Sequence, residues 1–321
     1  MQKRPEFSIV IPVYNREREI RRAIESCLAQ EEADYELIVV DDASQDRSAE
    51  VVAGYANHGV RLVQQPVNLG SSPARTAGMN IATGDWIVRM DSDEELLPGA
   101  LERMRVYTSS VPESVGRLGF MFRYLDGRVS PFPPPSGKIL FYEDFVQWLE
   151  NTEMYDCLTV IRRSALAVVP LPKGRLTELV HHLDFAMRYG TLWIPEVTAI
   201  YHIDANERQS KGRDTPVQAR EDLEETRLIL SRHGDALRRL APRFHQALLR
   251  KITVSLALIG ERHQALREGA RQLLSFPFSG LHWAALGCVM MGHEPLSIAL
   301  KLKWWLVEER RKRFCKPRLE S

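Results

Sequence analysis

The feature that most constrains this chain is an alternation of apolar strand-like runs and helix-like segments over its first 93 residues. Strand-like runs begin at Phe7, Tyr35, Val60 and Trp86, and the longer ones are rich in Val and Ile. Uninterrupted apolar runs of this kind are typical of strands that are covered on both faces. Between them, apolar residues recur at helical spacing, as in the segment 16–30. The pattern predicts a doubly wound, mainly parallel α/β sheet.

Beyond Pro216 the strand-like runs stop and amphipathic helical segments follow to the end of the 321 residues. A domain of about 150 residues is typical, so two domains are expected. We place the boundary at residue 215, with an α/β domain over 1–215 and a helical region over 216–321. Breaks between the helices of that region are expected near Gly234, Pro242, Gly260 and Pro277.

Charge and cysteine content exclude several classes of protein. The 43 basic and 42 acidic side chains leave a net charge of +1, so we expect no nucleic-acid partner. The four cysteines, Cys27, Cys157, Cys288 and Cys315, lack the close spacing that a zinc site or redox motif requires. A reducing, cytoplasmic setting is therefore expected.

Polar side chains follow three of the first four predicted strands: Tyr14-Asn15, Asp41-Asp42 and Asp91-Ser92-Asp93. Ligands of an open parallel sheet bind beyond the carboxyl ends of its strands, so these groups are expected on one rim. The carboxylates of Asp91 and Asp93 suit Mg²⁺ or Mn²⁺ shared with substrate phosphates. Acidic residues that only solvate loop ends are the alternative, which the three clusters together disfavour.

The turn after the first strand argues against two nucleotide-binding classes. Val13 is followed by Tyr-Asn-Arg-Glu rather than by a glycine-rich loop, which disfavours dinucleotide oxidoreductases and P-loop enzymes. Arg75 is predicted on a helix beside the same rim, where its guanidinium could bind a diphosphate or support a carboxylate. A solvated surface arginine is the alternative interpretation.

Four motifs, in this order, resemble those of the family 2 glycosyltransferases: Ile9–Asn15 (IVIPVYN), Val39–Ser44 (VVDDAS), Asn68–Arg75 (NLGSSPAR) and Gly84–Asp93 (GDWIVRMDSD). The resemblance is strongest over residues 7–105 and weak after 203. It implies the GT-A fold, with a nucleotide-binding half over about 1–105 and an acceptor half over about 106–215. It also implies an inverting transferase that uses a nucleotide-diphosphate sugar and a divalent metal.

The resemblance implies a donor site formed by Val13, Tyr14, Asp41, Asp42, Arg75 and Asp91. Val13 and Tyr14 would line the base pocket, and Asp41 would contact the nucleobase. In the D-x-D motif, Asp91 would lie near the ribose and Asp93 would bind Mg²⁺ or Mn²⁺, with Asp91 as a second candidate ligand. A metal at this place stabilises the charge that develops on the leaving diphosphate.

The general base is the point at which this chain departs from the family pattern. Relatives usually supply an aspartate from a Glu-Asp pair, and no such pair stands before the late helix here. Glu178 lies nearest the expected position. Competing residues are Asp184, the adjacent pair His181-His182, of which one is expected to face solvent, and Asp156. His202 lies near where relatives close a loop over the donor, with an ordinary strand-end histidine as the alternative.

The C-terminal segment Leu296–Ser321 carries eight Lys or Arg residues and three Glu. Trp304 and Trp305 stand beside these cations, which suits the headgroup region of an anionic membrane. The apolar stretch 281–291 is too short to span a bilayer. A peripheral protein on the inner face of the cell membrane is therefore expected, and packing of the two tryptophans on the helical core is the alternative.

Together these features predict an inverting glycosyltransferase with a lipid-linked or polysaccharide acceptor. The missing Glu-Asp pair keeps a catalytically silent, donor-binding subunit of a glycan-assembly complex as an alternative. A sugar-phosphate nucleotidyltransferase would share the sheet topology. It is disfavoured because the glycine-rich, basic loop of those enzymes is absent after the first strand.

Overall fold

The computed structural model describes residues 4–31, 33–130, 137–151, 157–171, 178–202 and 215–291. The chain divides into two compact units, which are described separately below. The first unit comprises residues 1–145 and 152–206, and the second comprises residues 146–151 and 207–321. All the candidate donor-site residues belong to the first unit.

The first unit is built on one sheet, which has ten strands within the described residues. The strands are β1 (Phe7–Val13), β2 (Tyr35–Asp41), β3 (Val60–Gln64), β4 (Trp86–Arg89), β5 (Glu94–Leu96), β6 (Val115–Tyr124), β7 (Val129–Ser130), β8 (Ile139–Leu140), β9 (Leu158–Arg162) and β10 (Gly190–Tyr201). Their order is β3-β2-β1-β4-β9-β6-β10-β5, with β7 paired to β6 and β8 to β10. Strands β3, β2, β1 and β4 run parallel to one another. Strand β9 is antiparallel to both β4 and β6.

Helices lie around this sheet in the first unit, and the described residues of the second unit are mainly helical. They are α1 (Glu19–Leu28), α2 (Ser48–Ala53), α3 (Ser71–Ile81), α4 (Ala100–Thr108), α5 (Tyr142–Asn151), α6 (Arg163–Val168), α7 (Glu178–Ala186), α8 (Pro216–Leu240), α9 (Pro242–Leu258), α10 (Arg262–Ser275) and α11 (Gly280–Met291). The predicted fold class, a doubly wound and mainly parallel α/β sheet followed by a helical C-terminal region, is confirmed.

Strand β1 is buried along its whole length, which explains its unbroken apolar sequence. Ile9 and Ile11 belong to the core cluster that contains the buried face of α1, whereas Val10 belongs to the cluster on the α3 side. Helix α3 lies close to the sheet at Gly78, where an added Cβ would stand 2.5 Å from Val10 Cγ1. The glycine therefore permits the close packing that brings α3 to the sheet.

The long strand β6 was not predicted from the sequence, although it lies between β9 and β10 in the sheet. Its sequence, VGRLGFMFRY, contains two glycines and two arginines that interrupt the apolar pattern. Arg117 is buried with its guanidinium carbon 4.5 Å from the centre of the Phe185 ring. At Gly119 an added Cβ would stand 2.8 Å from the Trp193 ring. These non-local contacts account for residues that are unusual in a buried strand.

In the helical unit, the predicted break at Gly234 is wrong, because α8 continues from Pro216 to Leu240. A glycine inside a helix costs about 1 kcal/mol relative to alanine. Burial of Leu223, Ile229 and Leu237 along one face of α8 offsets that cost. The other predicted breaks are confirmed, since helices end or begin near Pro242, Gly260 and Pro277.

A buried acidic side chain lies between α8 and α9. Lys251 Nζ is 3.0 Å from Asp222 Oδ1 and 3.7 Å from Glu225 Oε2. Glu225 is only 2% exposed, and its Oε1 has no hydrogen-bond partner. Burial raises the pKa of Glu225 to about 7, and the Lys251 charge opposes that rise.

This raised pKa predicts a pH-dependent stability for the helical unit. The folded pKa of Glu225 exceeds its unfolded value, so its contribution is most favourable below about pH 4.5 and is lost as pH rises to about 7. Wild type should lose on the order of 2 kcal/mol of unfolding free energy through Glu225 between pH 5 and pH 8. Glu225→Gln has no ionisable group at this position and should not show that loss. Urea unfolding at both pH values measures the change. The exposed neighbour Glu224→Gln is the control, and identical pH profiles for Glu225→Gln and wild type would contradict the assignment.

Candidate active site

The carboxyl ends of β2, β1 and β4 lie side by side, because β1 pairs in parallel with both of its neighbours. Each of the three polar clusters predicted from the sequence begins at the last residue of its strand or within two residues after it. Val13 and Asp41 are paired across β1 and β2, and the Met90 N–H donates to the Val10 carbonyl 3.2 Å away. The structure therefore brings the predicted rim residues together on one edge of the sheet.

The loops after β1 and β2 are fastened to each other by side chains. The Asn15 N–H donates to Ser44 Oγ at 3.0 Å, and the Gln45 N–H donates to Asn15 Oδ1 at 2.7 Å. The Arg16 N–H donates to Ser48 Oγ at 2.8 Å. Asn15 has a φ of 51°, a left-handed conformation that asparagine tolerates better than most residues. Asn15 therefore shapes the rim through backbone contacts.

The two adjacent aspartates after β2 have different surroundings, although each is 2% exposed. Both carboxylate oxygens of Asp42 are engaged, accepting from the Leu69 N–H at 2.8 Å and the Gly70 N–H at 2.7 Å. Asp41 Oδ2 accepts from the Ser44 N–H at 3.2 Å, whereas Asp41 Oδ1 is buried with no hydrogen-bond partner. An unsatisfied buried acceptor is costly, so Asp41 Oδ1 would gain from a hydrogen bond to any donor that reaches it.

Arg75 is held against the carboxylate turn that follows β4. Its Nη2 forms an ion pair with Asp91 Oδ1, and the Arg75 side chain is only 11% exposed. It is therefore not a solvated surface arginine. Of the two functional alternatives, support of a carboxylate is the one seen in this structure. The pairing leaves Asp91 partly neutralised and 45% exposed at the rim.

Three carboxyl groups crowd the turn after β4. Burial raises the pKa of Asp93 to about 6, the Asp91 charge adds to the rise, and Arg16 opposes it. Glu94 Oε2 accepts from the Asp91 N–H at 2.9 Å, while the Glu94 N–H donates to the Asp91 carbonyl at 3.1 Å. Burial also raises the pKa of Glu94 well above its ordinary value, with Asp91 contributing. Glu94 and Arg16 were missed by the sequence reasoning.

Strand β5, at the end of the strand order, follows this turn directly. Strand β5 pairs with the end of β10, opposite Tyr201. The His202 N–H donates to the Asp93 carbonyl at 3.1 Å, and His202 Nε2 is 2.8 Å from Glu95 Oε2. His202 is only 7% exposed, and these two contacts hold it against the carboxylate turn.

Helix α7 carries the residues considered for the general base. Glu178 is the first residue of α7, and its side chain lies outside the described residues, as does Asp156. Asp184 is half-buried. It lies near Tyr142, whose pKa is raised by burial and, secondarily, by the Asp184 charge.

The adjacent histidines of α7 both pack within the first unit. His181 is buried, and its Nε2 lies 3.0 Å from the Val169 carbonyl oxygen. His182 is half-buried, with its ring centre 6.5 Å from that of Phe145. The prediction that one of them faces solvent is therefore wrong, because Phe145 packs against the outer histidine.

Residues 8–168, about half of the chain, match Glycosyl transferase family 2. The chain belongs to this family. The family is one of transferases, and membership of it argues against the sugar-phosphate nucleotidyltransferase.

A named relative of this family 2 glycosyltransferase is the succinoglycan biosynthesis protein ExoO of Rhizobium meliloti. The two are 42% identical over 104 residues, which is 32% of this chain and 30% of the relative. The chain thus matches less than a third of that relative's length.

Two solved structures share the fold. Staphylococcus aureus TarS 1–349 in complex with UDP-GlcNAc has a TM-score of 0.55 at 19% identity, covering 79% of this chain and 72% of that one. The mannosyltransferase PcManGT from Pyrobaculum calidifontis, in complex with GDP-Man and Mn²⁺, has a TM-score of 0.55 at 16% identity, covering 92% and 87%. These similarities confirm the predicted GT-A fold.

The predicted membrane-binding segment Leu296–Ser321 lies outside the described residues. In the parts of the chain that are described, no helix combines the length and apolar character needed to cross a membrane.

The contacts of Asp42 predict a structural role that can be measured. Asp42→Ala should leave the Leu69 and Gly70 N–H groups without their charged acceptor and lower the unfolding free energy by about 3 kcal/mol. Chemical unfolding of the full chain measures the loss. The control is Glu50→Ala, which removes an exposed ion pair with Arg47 and should cost less than about 1 kcal/mol. Equal losses in the two variants would refute the anchoring role.

Proposed function

We propose that this family 2 glycosyltransferase transfers a sugar from a nucleotide-diphosphate donor to a polysaccharide or lipid-linked acceptor, with inversion and with a divalent metal. The observation that carries the proposal is the meeting of Asp41, the Arg75–Asp91 pair and Asp93 at the carboxyl ends of adjacent parallel strands. This edge can offer a base-recognition group, a cation and metal-binding carboxylates to one ligand.

The nucleobase of the donor is proposed to contact Asp41, with Val13 and Tyr14 lining its pocket. Asp41 offers one buried oxygen without a partner, since its other oxygen accepts from Ser44. A single acceptor matches the one imino N–H of uracil better than the paired N–H groups of guanine. The fold neighbours hold different bases, UDP-GlcNAc in TarS and GDP-Man in PcManGT, so the preference for uracil rests on Asp41. Asp42 is proposed to act on the donor indirectly, through the Leu69–Gly70 turn.

The donor set of the carboxylate turn fits Mg²⁺ or Mn²⁺. Both are hard cations that bind through one or two carboxylates and substrate phosphates. Because Arg75 already neutralises part of the Asp91 charge, Asp93 is proposed as the principal protein ligand and Asp91 as the second. When bound there, the metal would stabilise the negative charge of the leaving diphosphate. The complex of PcManGT with GDP-Man and Mn²⁺ supports a divalent metal in this fold.

The chain's own residues then have distinct parts in the transfer. The acceptor hydroxyl bonds to the anomeric carbon as the bond from that carbon to the diphosphate breaks. Arg75 is proposed to hold Asp91 in place while this charge develops. Glu178, at the start of α7, is proposed to take the proton of the acceptor hydroxyl, and Asp184 is the alternative base.

The acceptor is proposed to be a growing polysaccharide or a lipid-linked glycan at the cytoplasmic face of the cell membrane. The name of ExoO, a succinoglycan biosynthesis protein, supports a polysaccharide pathway. The excess of basic residues over Leu296–Ser321, with Trp304 and Trp305 beside them, supports an anionic membrane surface as a partner.

Removal of the metal-binding carboxylate tests the proposed donor site. Asp93→Ala should abolish the strengthening of UDP binding by Mn²⁺ and leave the free energy of unfolding near that of the wild type. Calorimetric titration of UDP, with and without Mn²⁺, measures the effect. Asp85→Asn is the control, because Asp85 is an exposed acid near the other end of β4. Unchanged Mn²⁺ dependence in Asp93→Ala would remove the D-x-D assignment.

Exchange of the proposed base for its amide tests the role of α7. Glu178→Gln should lower turnover by about a hundred- to ten-thousand-fold with little change in donor affinity, because the amide keeps its size and loses its basicity. Asp184→Asn on the same helix is the matched comparison and should retain most activity. Steady-state transfer rates and donor titrations separate the two effects. A nearly normal Glu178→Gln enzyme beside an inactive Asp184→Asn enzyme would reverse the assignment.

A further inference from the structure

The turn between α10 and α11 exposes large apolar side chains to solvent. Phe278 is 100% exposed and Leu274 is 87% exposed, the two highest values among the described large apolar residues. Leu281 and Trp283 follow at 65% and 57%. We call these four residues the apolar tip. Exposed apolar groups gathered within ten residues indicate a surface that contacts something other than water.

The apolar tip is held outward by an ordered turn. The Ser279 N–H donates to the Phe276 carbonyl at 3.1 Å, and His282 Nδ1 lies 2.7 Å from Ser279 Oγ. The rings of Phe276 and His282 stack with centres 5.3 Å apart. Phe276 therefore packs within the turn, and Phe278 projects from it.

The indole of Trp283 can enter an apolar medium without losing a hydrogen bond. Its Nε1–H donates to the Pro277 carbonyl at 2.9 Å within the turn. No Asp, Glu, Lys or Arg occurs between Arg271 and Met291, so no formal charge would have to be desolvated with the tip. Burying an isolated charge in an apolar medium would be prohibitive.

Basic residues flank the apolar tip on the exposed side of α10. Arg267, Arg271 and Leu274 follow one another at spacings of four and three residues, which places them on one helix face. Arg271 shares its charge with Glu268 at 3.8 Å, whereas Arg267 forms no ion pair with any described residue. Such an arrangement suits an anionic lipid surface, because the cations can contact the lipid phosphates while the apolar side chains enter the acyl region.

From these features we infer that the apolar tip inserts into an anionic lipid surface, with Arg267 and Arg271 at the level of the lipid phosphates. The inference rests on the proposed function, because it assigns a membrane-contacting element to the enzyme. It involves residues other than the basic segment Leu296–Ser321, and that segment follows α11 in the chain and carries charge of the same sign. The two together would give the two-part attachment that stable membrane binding requires.

Vesicle co-sedimentation of the full chain tests the apolar tip. The vesicles are phosphatidylcholine, alone or mixed with phosphatidylglycerol. The double variant Leu274→Gln and Phe278→Ser should bind mixed vesicles at least about tenfold more weakly than wild type. Arg267→Gln should bind them about fivefold more weakly. Val217→Ser, which removes an exposed apolar side chain elsewhere in the helical unit, should bind as wild type does.

Insertion has a second readout in tryptophan fluorescence. Brominated lipids should quench wild type more than Trp283→Phe, because Trp283 would lie at the acyl boundary. Absence of wild-type binding to mixed vesicles, or equal binding by the double variant, would overturn the inference. If wild type is a dimer, the double variant is a monomer and both bind vesicles equally, the tip contacts a second copy of the chain and the inference is overturned.

UDP titration distinguishes failure of this inference from failure of the proposed function. The double variant should bind UDP and Mn²⁺ as wild type does, because the tip contributes nothing to the donor site. Loss of vesicle binding with normal UDP binding supports the inference. If the full chain binds no nucleotide but its vesicle binding still depends on the tip, the proposed function is wrong and the membrane inference stands.

Discussion

The interaction on which the candidate site depends is the compensation of crowded carboxylates at one edge of the sheet. Asp91, Asp93 and Glu94 lie within four residues, and burial and mutual repulsion raise the pKa values of the latter two. Arg75 pairs with Asp91, and the positive charge of Arg16 lies close enough to oppose the rise at Asp93. A divalent cation and a diphosphate would complete this balance of charge.

Parallel strand order makes that crowding possible. Because β1 lies between β2 and β4, groups more than fifty residues apart in sequence meet at one rim. Backbone contacts then fix the loops: Asp42 holds the Leu69–Gly70 turn, and Asn15 joins the loops after β1 and β2. A site held in this way loses little conformational entropy when its ligand binds.

The sequence predicted the first four strands and the helices between them well, because local signals agree there. Each of the first four strands is an apolar run, and each intervening helix has its own periodicity. Strand β6 could not be found in the same way, because Arg117 and Gly119 are suited to β6 only through Phe185 and Trp193. In such a strand, tertiary contacts decide the residue types.

The site residues, like the strands, could be predicted only where the signal is local in the sequence. The rim residues were found because polar groups at strand ends are visible in sequence. The contact of Glu94 with the Asp91 N–H and that of His202 with Glu95 were not visible. The second depends on β5 pairing with the end of β10, about a hundred residues further along. No local motif marks the general base, because no Glu-Asp pair stands immediately before α7.

The rim formed by β2, β1 and β4 is proposed to bind a uridine diphosphate through Asp41 and the carboxylate turn. Calorimetric titration of the full chain with UDP and with GDP, each in the presence of Mn²⁺, tests it most directly. We expect UDP to bind at least about tenfold more tightly than GDP, since one imino N–H of uracil would meet the single unpartnered oxygen of Asp41. Equal affinities, or no binding of either nucleotide, would contradict it.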